Sequence, residues 1–158
     1  MKDCVFCKIV KGEIPCYKVW EDDDHIAFLS LSPNTPGFTV VATKKHFPSY
    51  AFENSDKVLT GLILATKKVA QVLDKAFDDV ARTGMFFEGF GVDHLHSKLS
   101  PMHGTSGLKK WKNIESKKMN VFFEKYPGYL SSHDAKRVDD KDLNRIAKMI
   151  RGVQKRKK

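Results

Sequence analysis

Only one stretch of this chain has the apolar spacing of a long helix, and that limits what the rest can build. Between Asp56 and Phe77 the residues Val58, Leu59, Leu62, Ile63, Val69, Val72, Leu73 and Phe77 recur three and four apart, with Ser55 or Asp56 available to cap the start. The other apolar stretches of the first two thirds of the chain are short and rich in β-branched or aromatic residues. Tyr17 to Glu21 and His25 to Leu29 read as a hairpin around the acidic turn Asp22-Asp23-Asp24. Ser32-Pro33-Asn34-Thr35-Pro36-Gly37 is dense in turn formers, and Phe38 to Ala42 gives a third strand. Gly84 to Phe90 and His94 to Leu99 give two more, separated by Gly91-Val92-Asp93. Short strands, hairpin-length connections and one long helix predict an α+β fold with an antiparallel sheet of about five strands. Toward the C-terminus, residues 104–118 read as a Lys-rich loop. Val121-Phe122-Phe123 is apolar and Tyr126-Pro127-Gly128-Tyr129 is a turn. Asp139 to Val153 is a final helix with Leu143, Ile146, Ala147 and Ile150 on one face.

Charge divides the chain. The 158 residues carry a formal net charge of +9, which suggests a polyanion binder. Yet residues 1–108 hold 12 Lys and Arg against 13 Asp and Glu, a net of −1, whereas residues 109–158 hold 16 against 6, a net of +10. The expectation is therefore a near-neutral domain over 1–108 with a basic extension over 109–158. Lys109-Lys110-Trp111-Lys112 and Lys155-Arg156-Lys157-Lys158 are the clusters that would contact nucleic acid, or else form a solvated loop and terminus. No apolar run approaches the ~20 residues that span a bilayer, and Met1-Lys2-Asp3 places charge where a signal peptide needs apolar residues. Three cysteines, Cys4, Cys7 and Cys16, are odd in number and crowded together. Reduced thiols in a cytoplasm fit this better than a disulfide scaffold.

The chemistry concentrates in His94-Leu95-His96-Ser97-Lys98. In a strand, alternate side chains share a face, so His94, His96 and Lys98 line up about 7 Å apart. Two imidazoles and an ammonium make poor core material unless each finds a hydrogen-bond partner, and together they suit a phosphate. Isolated histidines such as His25 and His133 read instead as structural.

With its N-terminal context, this stretch resembles the histidine triad (HIT) family, whose pattern is His-φ-His-φ-His-φ-φ with φ apolar. The context reads Cys4-Val5-Phe6-Cys7-Lys8-Ile9-Val10-Lys11-Gly12-Glu13-Ile14-Pro15. It continues through Val19-Trp20-Glu21-Asp22, Ala27-Phe28-Leu29, Ser32-Pro33, Pro36-Gly37 and Lys44-Lys45-His46. The resemblance runs from about residue 4 to 103. It implies a HIT-like fold and hydrolysis or transfer at a nucleotide α-phosphate, with His96 as nucleophile and no catalytic cofactor. A neutral imidazole suits that role near pH 7, since a nucleotidyl-imidazole intermediate splits one displacement into two. The resemblance also implies a purine nucleotide against Val5, Phe6, Ile9 and Ile14, residues that double as core, and a homodimer built on the long helix and an edge strand. Some members hold a structural zinc; the corresponding ligands here are Cys4, Cys7, His46 and His94, a closed set of two thiolates and two imidazoles.

The departures from the family pattern bear on substrate. Lys98 stands where the third histidine belongs, and Ser97 where an apolar residue is usual. Ser30 lies where the nucleoside-phosphoramidase branch carries an Asp for the ribose hydroxyls. Phe87 and Gly91 fall near positions where that branch has Ser and Asn. His103 either lies on the surface beyond Pro101 or returns to the site and supplies the donor that the triad has lost. The lead expectation is a nucleotide hydrolase acting on a dinucleoside polyphosphate or a nucleoside phosphoramidate. The alternatives are a nucleotidyltransferase or phosphorylase, because transferase branches also replace the third histidine, and a non-catalytic nucleotide- or RNA-binding protein.

Overall fold

In the computed structural model, which describes residues 4–108, 111, 113–114, 121–133 and 135–154, the strand segments form one five-stranded antiparallel sheet. Its strands are β1 (Lys18–Glu21), β2 (His25–Leu29), β3 (Thr39–Thr43), β4 (Thr83–Phe86) and β5 (His96–Pro101). The order across the sheet is β1-β2-β3-β5-β4. The β1–β2 turn is fixed by the Asp22 carboxylate, which accepts the backbone N–H groups of Asp24 at 3.0 Å and His25 at 2.7 Å. After β3 the chain runs through the helix α2 (Asp56–Ala76) to the edge strand β4, then returns through β5 into the interior of the sheet. The strand that carries the histidines is thus paired on both sides.

Period-2 alternation gives the sheet two faces with separate cores. Ala27, Val41, Leu95 and Leu99 pack against Leu62, Ala65, Val69 and Leu73 of α2. On the other face, Ile26, Phe28, Val40 and Ala42 are covered by Phe6, Ile9 and Val10 of a six-residue helix, α1 (Val5–Val10). Ile63 and Val72, read from the sequence as part of the apolar stripe, are 39% and 43% exposed, while Ala65 and Thr66 are buried. The apolar arc of α2 is wider than the strip the sheet covers.

The structure departs from the sequence expectation in two places. The cysteine segment forms α1, ended by Gly12 at φ +76°. The fourth strand ends at Phe86 instead of Phe90 and the fifth is displaced by two residues to His96–Pro101, leaving 87–95 as a connection. Gly89 and Gly91 adopt φ of +74° and +92° there, and Ser49 draws the connection away from the ladder. The Ser49 hydroxyl donates to the Gly89 carbonyl at 2.9 Å, and its N–H donates to the Asp93 carboxylate at 3.0 Å.

The chain divides into units Met1–Lys112 and Asn113–Lys158. In the second, α3 (Asp140–Gln154) is capped by Asp139, whose carboxylate accepts the Asp142 N–H at 2.9 Å. Leu143, Ile146 and Ile150 line a cavity of about 710 Å³ with Phe122 and Val138. Lys109, Lys110, Lys112 and all of Lys155 to Lys158 lie outside the described residues. No helix among the described residues is long and apolar enough to cross a membrane.

Candidate active site and metal cluster

His94, just before β5, is fully buried, and His96, which opens it, is 5% exposed. Each meets the cost of burial with one short bond to a carbonyl, and the two bonds use opposite ring nitrogens. His94 Nε2 lies 2.6 Å from the Thr43 carbonyl oxygen, and His96 Nδ1 lies 2.6 Å from the His94 carbonyl oxygen. A carbonyl only accepts, so the proton of His94 sits on Nε2 and that of His96 on Nδ1. The lone pairs are left on Nδ1 of His94 and Nε2 of His96. Burial pushes the pKa of both imidazoles below the ordinary histidine value, and the nearby Lys98 charge pushes His96 further down. Both rings are neutral near pH 7.

The His94 lone pair faces two sulfurs. Its Nδ1 is 3.3 Å from Cys4 Sγ and 3.6 Å from Cys7 Sγ, and Cys7 Sγ is 3.5 Å from Nδ1 of His46. All four ligand atoms lie within 4.8 Å of one another. An ion with tetrahedral bonds of ~2.3 Å to sulfur and ~2.05 Å to nitrogen separates its ligands by about 3.3 to 3.8 Å, so these three separations have the length of tetrahedral edges. Two cysteine sulfurs and two imidazole nitrogens are also the donor set that suits zinc. Local structure explains the convergence. One helical turn separates Cys4, the N-cap of α1, from Cys7. The His46 segment is tied down by Leu95, whose N–H donates to the Phe47 carbonyl at 2.9 Å, and by the Thr43 hydroxyl, which donates to the Lys45 carbonyl at 2.7 Å.

His96 belongs to the α1 side of the sheet. It pairs with Ala42, and Lys98 with Val40 and Phe86. Phe6 sets its ring edge-on to His96, His94 and Phe28, at centroid distances of 5.2, 5.7 and 5.3 Å. Of the residues expected along the nucleoside, Phe6 is buried, Ile9 and Ile14 are partly buried, and Val5 is 36% exposed. Ser30 follows β2 with the same parity as Ile26 and Phe28, and its Oγ accepts the Ser32 N–H at 3.3 Å.

His103 is not brought to His96. It lies past the opposite end of β5, where Nδ1 is 3.0 Å from the Asp79 carboxylate and Nε2 is 2.9 Å from the Pro36 carbonyl. Both nitrogens therefore donate. The Pro36 carbonyl and then Asp79 raise its pKa above the ordinary value.

Two contributors escaped the sequence reading. Lys98 is ion-paired with Glu88, whose side chain is 10% exposed. The signal for Glu88 was a lone carboxylate inside the apolar run Met85-Phe86-Phe87-Glu88-Gly89-Phe90. The other is Thr66 in α2, whose Oγ1 lies 2.7 Å from Ser97 Oγ and so satisfies that buried serine. Nothing in the local sequence pairs residues 66 and 97.

The site can be set beside known proteins. A family model described as the HIT domain matches residues 11–103. A HIT-like protein of Methanocaldococcus jannaschii is 36% identical over 107 residues, covering 66% of this chain and 82% of its own. The adenosine 5'-monophosphoramidase of Schizosaccharomyces pombe is 34% identical over 99 residues, 62% of this chain and 73% of its own. The crystal structure of a Streptococcus mutans protein superposes with a TM-score of 0.68 at 29% identity, covering 100% of this chain and 87% of that one. The α+β sheet, its helices and the histidine strand are those of a known family, and this chain belongs to the HIT domain family.

Proposed function

We propose that the protein hydrolyses a nucleoside phosphoramidate or a dinucleoside polyphosphate at the α-phosphate, through a nucleotidyl-His96 intermediate. The observation that carries this reading is the His96 Nδ1 bond to the His94 carbonyl, which fixes a neutral tautomer with its lone pair on Nε2. Attack by Nε2 forms a P–N bond and expels the leaving group with the electron pair of the bond that held it. Water then adds to phosphorus, the electrons of the P–N bond return to Nε2, and over both steps one proton passes from water to the leaving group. Lys98 takes the place of the third triad histidine and donates toward the phosphoryl oxygens. The name of the Schizosaccharomyces pombe relative, an adenosine 5'-monophosphoramidase, supports a purine nucleotide substrate. Val5, Phe6, Ile9 and Ile14 would flank the base, and Ser30 would offer one bond to the ribose.

In this reading Cys4, Cys7, His46 and His94 hold a zinc ion. When bound, it supplies structure and no chemistry, tying α1 to the segment that feeds β5. Reduced thiols in that set fit a cytoplasmic protein. A homodimer would use α2 and the edge strand β4, where Ile63, Leu64, Val72 and Met85 are exposed.

The test is to incubate the protein with labelled adenosine phosphoramidate or diadenosine polyphosphate and quench in mild base, because phosphoramidates are acid-labile. Wild type should yield a labelled adduct and His96→Ala none. Turnover by His96→Ala at the wild-type rate would overturn the mechanism. Acceleration by added inorganic phosphate, with a nucleoside diphosphate as product, would identify a phosphorylase.

A further inference from the structure

Replacing an imidazole by lysine at the third triad position brings in a full positive charge where a neutral ring would give one uncharged donor. The structure balances that charge. Lys98 Nζ pairs with the Glu88 carboxylate, and the side chains are 25% and 10% exposed. The pair carries no net charge, and an ammonium that gives one hydrogen to Glu88 has two more to donate. Glu88 is held in place by the fold. Phe86, the last residue of β4, is opposite Lys98, and Glu88 follows it by two residues, just past the end of the ladder. The next residue, Gly89, takes φ +74°, and the Ser49 hydroxyl pins its carbonyl at 2.9 Å.

We infer that Lys98 and Glu88 work as one charge-balanced donor in place of the missing imidazole, with Glu88 the positioning residue that sets the substrate class. The inference rests on the reading of His96 as nucleophile and chooses between the two substrate classes left open there. Balanced by Glu88, Lys98 donates hydrogen bonds to a phosphoryl group without adding net positive charge beside His96. A polyphosphate chain brings several negative charges and a phosphoramidate one. The carboxylate beside the reacting phosphate therefore favours the phosphoramidate, whose leaving group is an amine. It also keeps the ammonium from gripping the nucleoside monophosphate product, so that donation is not spent on ground-state binding.

The experiment compares wild type, Glu88→Gln, Lys98→Met and the double variant Glu88→Gln/Lys98→His. For each, kcat and KM are measured on adenosine phosphoramidate and diadenosine tetraphosphate, with the inhibition constant of AMP. Glu88→Gln keeps the shape and removes the charge. It should tighten AMP inhibition about tenfold and raise the tetraphosphate-to-phosphoramidate ratio of kcat/KM about tenfold, the scale expected when a like charge close to the phosphates is removed. Lys98→Met, which removes the ammonium beside Glu88, should lose activity on both substrates and more on the tetraphosphate. The double variant should recover activity over Lys98→Met. Weaker AMP binding in Glu88→Gln, or a fall on both substrates with their ratio unchanged, would make Glu88 merely structural and overturn the inference. The labelled adduct is followed in parallel. Its absence from wild type would instead overturn the nucleophile assignment.

Discussion

Removing the Thr66 hydroxyl should destabilise the protein more than removing the Ser97 hydroxyl, and removing both should cost less than the two losses added. The two residues are 1% and 0% exposed, and their oxygens lie 2.7 Å apart across the interface between α2 and β5. Thr66 Oγ1 is also 2.7 Å from the Leu62 carbonyl, which can only accept. The one hydroxyl hydrogen of Thr66 is thereby used, and Ser97 must donate to Thr66. In Thr66→Val the Ser97 donor is buried without a partner, at a cost of about 1–3 kcal/mol. Ser97→Ala leaves Thr66 bonded to Leu62 and removes one neutral hydrogen bond, about 1 kcal/mol. The double variant replaces the polar pair with apolar surface of similar shape, so the coupling should be about 1–2 kcal/mol in its favour. Urea unfolding of the four proteins at one fixed zinc concentration gives the cycle. Adduct formation at His96 should stay within about twofold, because residue 97 points to the opposite face of the strand. Additive losses, or a cheaper Thr66→Val than Ser97→Ala, would refute the assignment of donor and acceptor.

Cys7→Ser should lower bound zinc from one ion per chain toward none. Stripping the ion from wild type held at a hundred times its Kd should cost about 2.7 kcal/mol of stability, measured by metal analysis and chelator-dependent unfolding. Gly37→Ala should cost roughly 2–4 kcal/mol, because Gly37 sits at φ +77° and an added Cβ would approach the Phe77 ring to 2.5 Å. By contrast, Gly61→Ala in α2 should add roughly 0.5–1 kcal/mol, since its Cβ would meet the His25 ring at an ordinary 3.7 Å; urea midpoints test both. The pair of His103 and Asp79 should give a stability term confined to mildly acidic pH. The raised pKa of His103 gives a contribution that is full below its unfolded value and lost as pH rises through the folded one. Asp79 is lowered, chiefly by the Gly104 N–H and then by His103, so its contribution is present above its unfolded value and lost as pH falls through the folded one. The urea midpoint of wild type over Asp79→Asn should therefore differ most between about pH 4 and 6.5, and a difference flat from pH 3 to 9 would refute the pairing.

Periodicity in the sequence specified most of the sheet. His25 to Leu29 was delimited residue for residue, because the acidic turn before it and the turn formers after it leave no other register. The expected helix from Asp56 differs from α2 only at its last residue. The end of the apolar run at Phe90 was not legible as a strand end. Two positive-φ glycines and the bonds from Ser49 stop the ladder at Phe86, and Ser49 lies 40 and 44 residues from its two partners. In the same way α1 is too short for periodicity to announce it.

The site was legible to the extent that its chemistry is carried by spacing along one strand. Residues two apart share a face, which brings His94, His96 and Lys98 together whatever the rest of the chain does. What spacing cannot express is how each is paid for in the third dimension: Thr43 for His94, Glu88 for Lys98, and Thr66 for Ser97 on the reverse face. Each partner comes from a different element, and each converts a residue that looks costly in a sheet interior into a satisfied one. The same accounting changes the meaning of the charge. With a net of −1 over residues 1–108, this part of the chain has no general attraction for phosphate. The positive charge at Lys98 is tied to Glu88, so in the proposed reading what β5 offers beside His96 is the remaining hydrogens of one paired ammonium. Such an arrangement discriminates by the shape and charge of the group it meets, and a basic surface would not.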